Sequence, residues 1–328
     1  MHSHTLIPAA VVLAALAVLP ACAGDRQAGS PGKRLVIAVV PKGSAHQHWK
    51  GVRAGALAAS REIGVEVIWQ APGKEDSSEE QIQVVDSLRS RGVSGILLAP
   101  LDERALRAPV ANAVHAGIPV ALFDSGLDSQ DYVSLIETNN YQAGRLAGEH
   151  LARLLDGRGP IMLLRVREGS ASTTQREQGF LDAVGAFPGL QIVSSNQYAG
   201  ATTDGAYTAS RNLLTVLRAG DGGVAGVFCA NESGTSGMLR ALQEAKLAGR
   251  IRFVGFDVSD VHLQGLRAGQ IDALVVQDPF RMGYLGVRIL ARAIGGEKVE
   301  KHVDTGVTLV TRENVDLPEL QQRLHPGR

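Results

Sequence analysis

The chain has 328 residues, with 33 basic side chains balancing 33 acidic ones and only 4% aromatic residues. A balanced charge with no basic stripe or arginine-rich run argues against a nucleic-acid partner. Of the two cysteines, Cys229 lies inside the apolar run Val227–Ala230, where a buried inert thiol is expected, so no intramolecular disulfide is expected.

In chain order, Met1–Pro8 leads into the apolar stretch Ala9–Leu19, too short for a spanning helix, and then Pro20-Ala21-Cys22. A small residue before a cysteine at this point resembles a bacterial lipoprotein signal. That resemblance implies that residues 1–22 are a signal peptide region cut before Cys22, whose thiol is then acylated. No Lys or Arg precedes Arg26, and His2 and His4 stand where a basic region is usual; a plain secretory signal with an incidental cysteine is the alternative. Residues 23–34, including the polar Asp25–Lys33 with its Gly and Pro, read as a flexible tether. The remaining chain, about 300 residues, permits one large domain or two of ordinary size.

From here strand and helix patterns alternate. Strands are expected at Leu35–Val40, Val65–Gln70, Gly95–Ala99, Pro119–Phe123 and Tyr132–Ile136, with helices at Trp49–Ile63, Ser78–Arg91 and Glu103–Ala116. The second half repeats the theme. Its strands are expected at Pro160–Val166, Gln191–Gln197, Val224–Ala230, Ile251–Phe256 and Ala273–Val276. Its helices are expected at Asn140–Leu155, Thr174–Ala186, Ala206–Ala219, Ser233–Leu247 and Asp260–Ala268. Gly117, Gly157, Gly220 and Gly249 fall where helices should stop, as left-handed C-caps. Two such arrays predict an α/β protein of two Rossmann-like lobes, each a doubly wound parallel sheet.

Four of the apolar strands close on a polar residue. Pro119–Phe123 runs into Asp124, Gly226–Ala230 into Asn231, Arg252–Phe256 into Asp257, and Ala273–Val276 into Gln277. Ligands of open α/β sheets bind beyond the carboxyl ends of the strands, so these side chains should converge on one crevice. Carboxylates and amides gathered there suit a ligand rich in hydroxyls. Three have a structural alternative: Asp124 and Asp257 could cap helices or bridge loops, and Asn231 could cap the helix near Ser233, whereas a lone amide at Gln277 has little structural reason to stand there.

From Leu35 to Val310 the chain resembles the ribose-binding branch of the type I periplasmic solute-binding proteins. The matching motifs are Ile37-Ala-Val-Val40 with the loop to Trp49, Gly95-Ile-Leu-Leu, Gly117-Ile-Pro-Val with Asp124, and Thr174-Gln-Arg176-Glu-Gln-Gly-Phe180. Val227-Phe-Cys-Ala-Asn231, Val254-Gly-Phe-Asp257 and Gln277-Asp-Pro279 complete the series. The resemblance implies the periplasmic binding protein-like I fold, with a three-segment hinge near Glu137–Thr138, Asp278–Pro279 and Gly306. Residues 35–137 plus 279–306 would form the N-terminal lobe, and 138–278 plus 307–328 the C-terminal lobe. It also implies an extracytoplasmic receptor, a monomer anchored to a membrane by lipid, that closes over a monosaccharide or related polyol. Delivery to the permease subunits of an ABC importer is the leading reading. A sensory subunit serving a membrane kinase or chemoreceptor, including an autoinducer receptor, is the alternative.

The resemblance supplies the expected ligand set. Asp124 and Asp257 would accept from adjacent hydroxyls, Arg176 would donate in a fork, and Asn231 and Gln277 would do both. Trp49 and Phe256 would stack on the apolar face of a ring, unless Phe256 belongs to the core alone, and Thr138, at the first crossing, belongs to the same set. Arg176 could instead pair with Glu177 or a surface acid. The loop Pro41–Lys50 departs from the ribose pattern: Lys42, His46 and His48 replace most of its small polar and aromatic residues, and no aromatic residue stands near Ala201. The more basic loop suggests a larger, more polar or acidic sugar, unless Lys42 points to solvent and the histidines donate to hydroxyls. His46-x-His48 lacks a third and fourth metal ligand nearby. No Walker loop, complete dinucleotide fingerprint or Gly-x-Ser-x-Gly occurs, so neither a cofactor nor an enzymatic activity is expected.

Overall fold

In this computed structural model residues 1–2, 34–73 and 75–325 are described. Cys22, the signal segment 1–22 after His2, and the tether 23–34 up to Lys33 lie outside them. The short apolar runs become strands because each is buried on both faces, and the amphipathic segments between them become the covering helices. The order opens with β1 (Val36–Val40), α1 (Gln47–Ile63), β2 (Glu66–Trp69), α2 (Ser78–Ser90) and β3 (Gly95–Leu98). It continues with α3 (Arg107–His115), β4 (Val120–Phe123), β5 (Leu135–Glu137), α4 (Asn140–Leu154), β6 (Arg158–Arg165) and α5 (Ala171–Gly185). Next come β7 (Gly189–Tyr198), α6 (Thr203–Val216), β8 (Gly226–Cys229), α7 (Glu232–Glu244), β9 (Arg252–Phe256), α8 (Asp260–Arg267) and β10 (Ala273–Val276). The last described elements are α9 (Pro279–Ile294), β11 (His302–Asp304), β12 (Thr308–Thr311) and α10 (Pro318–Leu324).

These strands form two six-stranded sheets, ordered β11-β5-β4-β3-β1-β2 and β12-β10-β9-β8-β6-β7. Every pairing is parallel except β10 with β12, which is antiparallel. In both sheets the second strand in sequence lies outside the first, and the third lies on its other side, so the winding reverses at β1/β3 and at β6/β8. Alternation along each strand feeds two core layers per sheet. Ile37 and Val39 pack beneath α1 and α9, whereas Ala38 and Val40 face α2 and α3. Met162 and Leu164 likewise oppose Ile161 and Leu163 in the second lobe.

The chain passes from one lobe to the other three times: between β5 and α4, between β10 and α9, and between β11 and β12. Two helix pairs pack backbone to backbone over the sheets. A Cβ on Gly55 of α1 would lie 1.9 Å from the Phe280 carbonyl of α9, and one on Gly283 would lie 2.0 Å from that of Val52. Gly144 of α4 and Gly179 of α5 meet Arg176 O and Tyr141 O in the same way, at 1.9 and 2.0 Å.

The two-lobed α/β architecture matches the sequence expectation, with differences at its edges. The expected stop at Gly220 is not used. Instead Arg218 takes a left-handed φ of 52° and Gly222 one of 88°, flanking a 3-10 turn at Ala219–Asp221. Helices α9 and α10 and strands β11 and β12 lie beyond the elements read from the sequence. For α9 the signal was present, since Asp278 caps Arg281 N and Pro279 stands in the first turn. The two strands are short, and β11 is largely exposed, so neither carries an apolar run.

Candidate functional site

The carboxyl ends of the strands of both lobes face one another, so the crevices opened by the winding reversals at β1/β3 and β6/β8 meet in one cleft. Asp124 follows β4 and Asp257 follows β9, the equivalent strand of the second lobe. Each accepts the same backbone placement: Asp124 N donates to Ile136 O at 3.0 Å, and Asp257 N to Val275 O at 2.9 Å. Each also sits in the left-handed region, with φ of 61° and 64°. Aspartate tolerates this conformation better than most residues, and the turn swings the carboxylate into the cleft.

Lys42, beyond β1, is buried rather than directed to solvent. Its Nζ lies 2.9 Å from Asp124 Oδ2 and donates to Ser172 Oγ of the second lobe at 2.9 Å. His48 lies between the two strand-end acids, with Nε2 3.0 Å from Asp124 Oδ1 and Nδ1 3.9 Å from Asp257 Oδ1. The first is a charge contact without hydrogen-bond alignment. Burial opposes the charged imidazole, but contact with Asp124 and the charge of Asp257 more than offset it, so the His48 pKa is raised. Burial likewise opposes ionisation of Asp124, but Lys42 and His48 hold its carboxyl well below the usual carboxylate range. His46 Nδ1 meets Glu75 Oε2 at 3.0 Å, and Trp49 Nε1 donates to the same oxygen at 2.9 Å, fixing the indole. Burial alone would lower the His46 pKa; the bond to Glu75 and the surrounding acids raise it to about 9.

Arg176, on α5, is the hub of the second lobe. It is buried, and its guanidinium donates to Asn140 Oδ1 at 2.8 Å, Ala230 O at 3.1 Å and Gln277 Oε1 at 3.0 Å. Gln277 Nε2 then donates to Asp257 Oδ1 at 2.7 Å, so the amide carries the guanidinium's polarity to the carboxylate. Glu177 pairs elsewhere, with Arg165 Nη1 at 2.9 Å and Val166 N at 3.0 Å. Asn231 caps α7 through Oδ1 to Gly234 N at 2.9 Å and still lines the cavity.

The lobes meet around these groups. Ser172 N donates to Ser125 Oγ at 3.2 Å and Glu103 N to Gly169 O at 2.8 Å, both across the cleft. They enclose a cavity of about 40 Å³, walled by Lys42, His46, His48, Trp49, Asp124, Arg176, Asn231, Asp257 and Gln277 among others. A second cavity of about 100 Å³ shares His48, Asp257 and Gln277 and reaches Ser259, Pro279 and Leu324.

A family model for the periplasmic binding protein domain matches residues 37–298. This chain belongs to the periplasmic binding protein family. The D-ribose/D-allose-binding protein of Pseudomonas aeruginosa is 29% identical, over 94% of this chain and 98% of that protein. A carbohydrate transporter solute-binding protein from Agrobacterium radiobacter, solved in complex with D-arabinose, superposes with a TM-score of 0.83 at 34% identity, covering 89% of this chain and 99% of that one. An ABC transporter solute-binding protein from Agrobacterium vitis with bound D-fucose gives 0.83 at 34% identity, covering 88% and 99%.

Two of the residues expected in the ligand set stand elsewhere in this family member. Phe256 is fully buried in the core under α4 and α5, and its ring carries the Arg176 guanidinium at 3.9 Å. It supports the arginine by cation–π contact and does not wall the cavity, because alternation along β9 turns it into the core. Thr138 is buried at the first crossing, where Oγ1 donates to Gly306 O at 3.4 Å, linking the first and third crossings away from the cavity. Sequence reasoning missed Glu75, Ser172 and Glu232, all at the cavity. Glu232 directly follows Asn231, so its place at a strand-to-helix junction was readable. Glu75 and Ser172 lie in loop and helix segments with no apolar strand to announce them.

Proposed function

We propose that this chain binds a neutral monosaccharide or related polyol between its lobes and delivers it to the permease subunits of an ABC importer. It would act outside the cytoplasm as a monomer, tethered through residues 23–34 to a lipid-modified Cys22. The observation that carries the binding reading is the pair of strand-end carboxylates, Asp124 and Asp257, facing each other across the cleft with Arg176, Gln277 and His48 between them. Carboxylates accept from vicinal hydroxyls, and the guanidinium and imidazolium donate to hydroxyl or ring oxygens. Trp49 offers an apolar wall for the carbon face of a ring. Relatives solved with D-arabinose and D-fucose support the ligand class.

The charge arrangement favours a neutral ligand over the acidic sugar suggested by the basic loop. Lys42 is engaged by Asp124 and His46 by Glu75, and Glu232 adds a further acid at the cavity. A uronate would bring a carboxylate against Asp124, Asp257, Glu75 and Glu232, which outnumber Arg167 and Arg176, the two lining cations without a carboxylate partner. The test is a thermal-shift panel of D-ribose, D-arabinose, D-allose, D-fucose, xylitol and D-glucuronate. A native-state ligand at a hundredfold excess over its dissociation constant adds about 2.7 kcal/mol of stability. Stabilisation by one or more neutral compounds, with none from D-glucuronate, is expected. A shift with D-glucuronate alone would overturn the neutral assignment.

A further inference from the structure

Helix α1 lacks a cap from its own lobe. Its N-cap residue, His46, has an extended backbone and makes no side-chain capping bond, and the first turn holds no acid. The free amides at a helix N-terminus need acceptors when they are buried. Here the acceptor comes from the opposite lobe: Glu232 Oε1 takes Gln47 N at 3.1 Å and Oε2 takes His48 N at 3.2 Å. Glu232 is the first residue of α7 and only 8% exposed. Its backbone is held by the Asn231 cap on Gly234 N, so the carboxylate is presented from a fixed turn.

The two charge-assisted bonds exist only while the lobes are together, because the donors belong to the first lobe and the acceptor to the second. An interaction made in one conformation and absent in the other shifts the equilibrium toward the first. One of the donors is the amide of His48, whose imidazole stands between Asp124 and Asp257. Closure therefore brings that ring beside Asp257 of the second lobe.

We propose that Glu232 is a positioning residue that latches the closed form by capping α1 from the opposite lobe, and that it sets how slowly a bound sugar leaves. The consequence for sugar release rests on the binding function proposed above; the latch itself does not.

Two measurements separate the two. In the full chain carrying Cys22→Ser, Glu103→Cys and Glu168→Cys flank the cleft mouth, near the bond from Glu103 N to Gly169 O at 2.8 Å. The remaining native thiol, Cys229, is buried. The rate at which a short bismaleimide joins the two positions, with no sugar present, reports the closed population. Glu232→Ala should slow it severalfold, and Glu232→Gln, which keeps acceptor capacity on one oxygen, should fall between. The second measurement is stopped-flow dissociation of D-arabinose, which Glu232→Ala should speed by about tenfold. Unchanged crosslinking in both variants would overturn the latch. If wild type binds no D-arabinose while crosslinking still responds, the latch stands and the sugar assignment fails. Should Glu232→Ala fail to fold, Glu232→Gln alone decides, since loss of charge must still slow crosslinking.

Discussion

Asp257 does two things at once: it holds a left-handed turn at φ 64° and presents a carboxylate to Gln277 and His48. Asp257→Asn keeps a residue suited to that turn while removing the charge, so it isolates the second task. It should weaken sugar binding by about a hundredfold, the scale of one or two hydrogen bonds to a charged group, with little change in melting temperature. A collapsed melting temperature in titration-ready protein would make Asp257 structural instead. His46 gives a pH signature. Its folded pKa of about 9 exceeds the ordinary value of 6.5, so the folded state holds the proton more tightly. That stabilisation is complete below about pH 6.5 and is lost as pH rises through about 9. Melting curves across this range should therefore fall more steeply for wild type than for His46→Gln, and parallel curves would contradict the His46–Glu75 pair. Much of this site was legible because a parallel strand buried on both faces leaves its ends for polar residues, and ligands gather at the carboxyl ends. Asp124, Asn231, Asp257 and Gln277 all obey that rule, and the cavity wall includes all four. Phe256 misled for the same physical reason: one position before such an end, alternation returns the side chain to the core.

At the scale of elements, the helix pairs α1/α9 and α4/α5 carry the site. Both depend on glycines that let two backbones touch, and the α4/α5 contact lies on Arg176 itself, since a Cβ at Gly144 would strike its carbonyl at 1.9 Å. Gly144→Ala must push α5 outward, with an overpacking cost of about 1–3 kcal/mol. It should also misplace the guanidinium, so denaturant unfolding and sugar affinity should fall together, whereas a variant with full affinity would show that α5 moves without Arg176. The alternation of strand and helix was readable along almost the whole body because each buried run and each amphipathic face has its own period. The antiparallel β12 was not, since its place depends on a return crossing made after β11 and not on any pattern within Thr308–Thr311. Arg218, left-handed where Gly220 was expected to stop the helix, shows the same limit: turn geometry was set by the 3-10 segment that follows.

At the scale of the whole molecule, the two lobes repeat one design and face each other through it. Equivalent strands end in equivalent aspartates, and each lobe contributes cations or amides that answer the other's carboxylates. Lys42 and His48 come from the first lobe, Arg176 and Gln277 from the second and its exit. A ligand that bridges both sets must favour the closed arrangement, and the three crossings are the segments about which we expect the lobes to part. Small-angle scattering should accordingly show a smaller radius of gyration with a bound sugar than without it. The account's central claim is that a neutral, hydroxyl-rich ligand is held between Asp124 and Asp257. Titration calorimetry of wild type with D-arabinose, D-ribose, D-fucose, xylitol and D-glucuronate tests it most directly. One-to-one binding of at least one neutral compound, lost in Asp257→Asn, is the predicted result; binding of D-glucuronate alone, or neutral binding that survives that substitution undiminished, would contradict it.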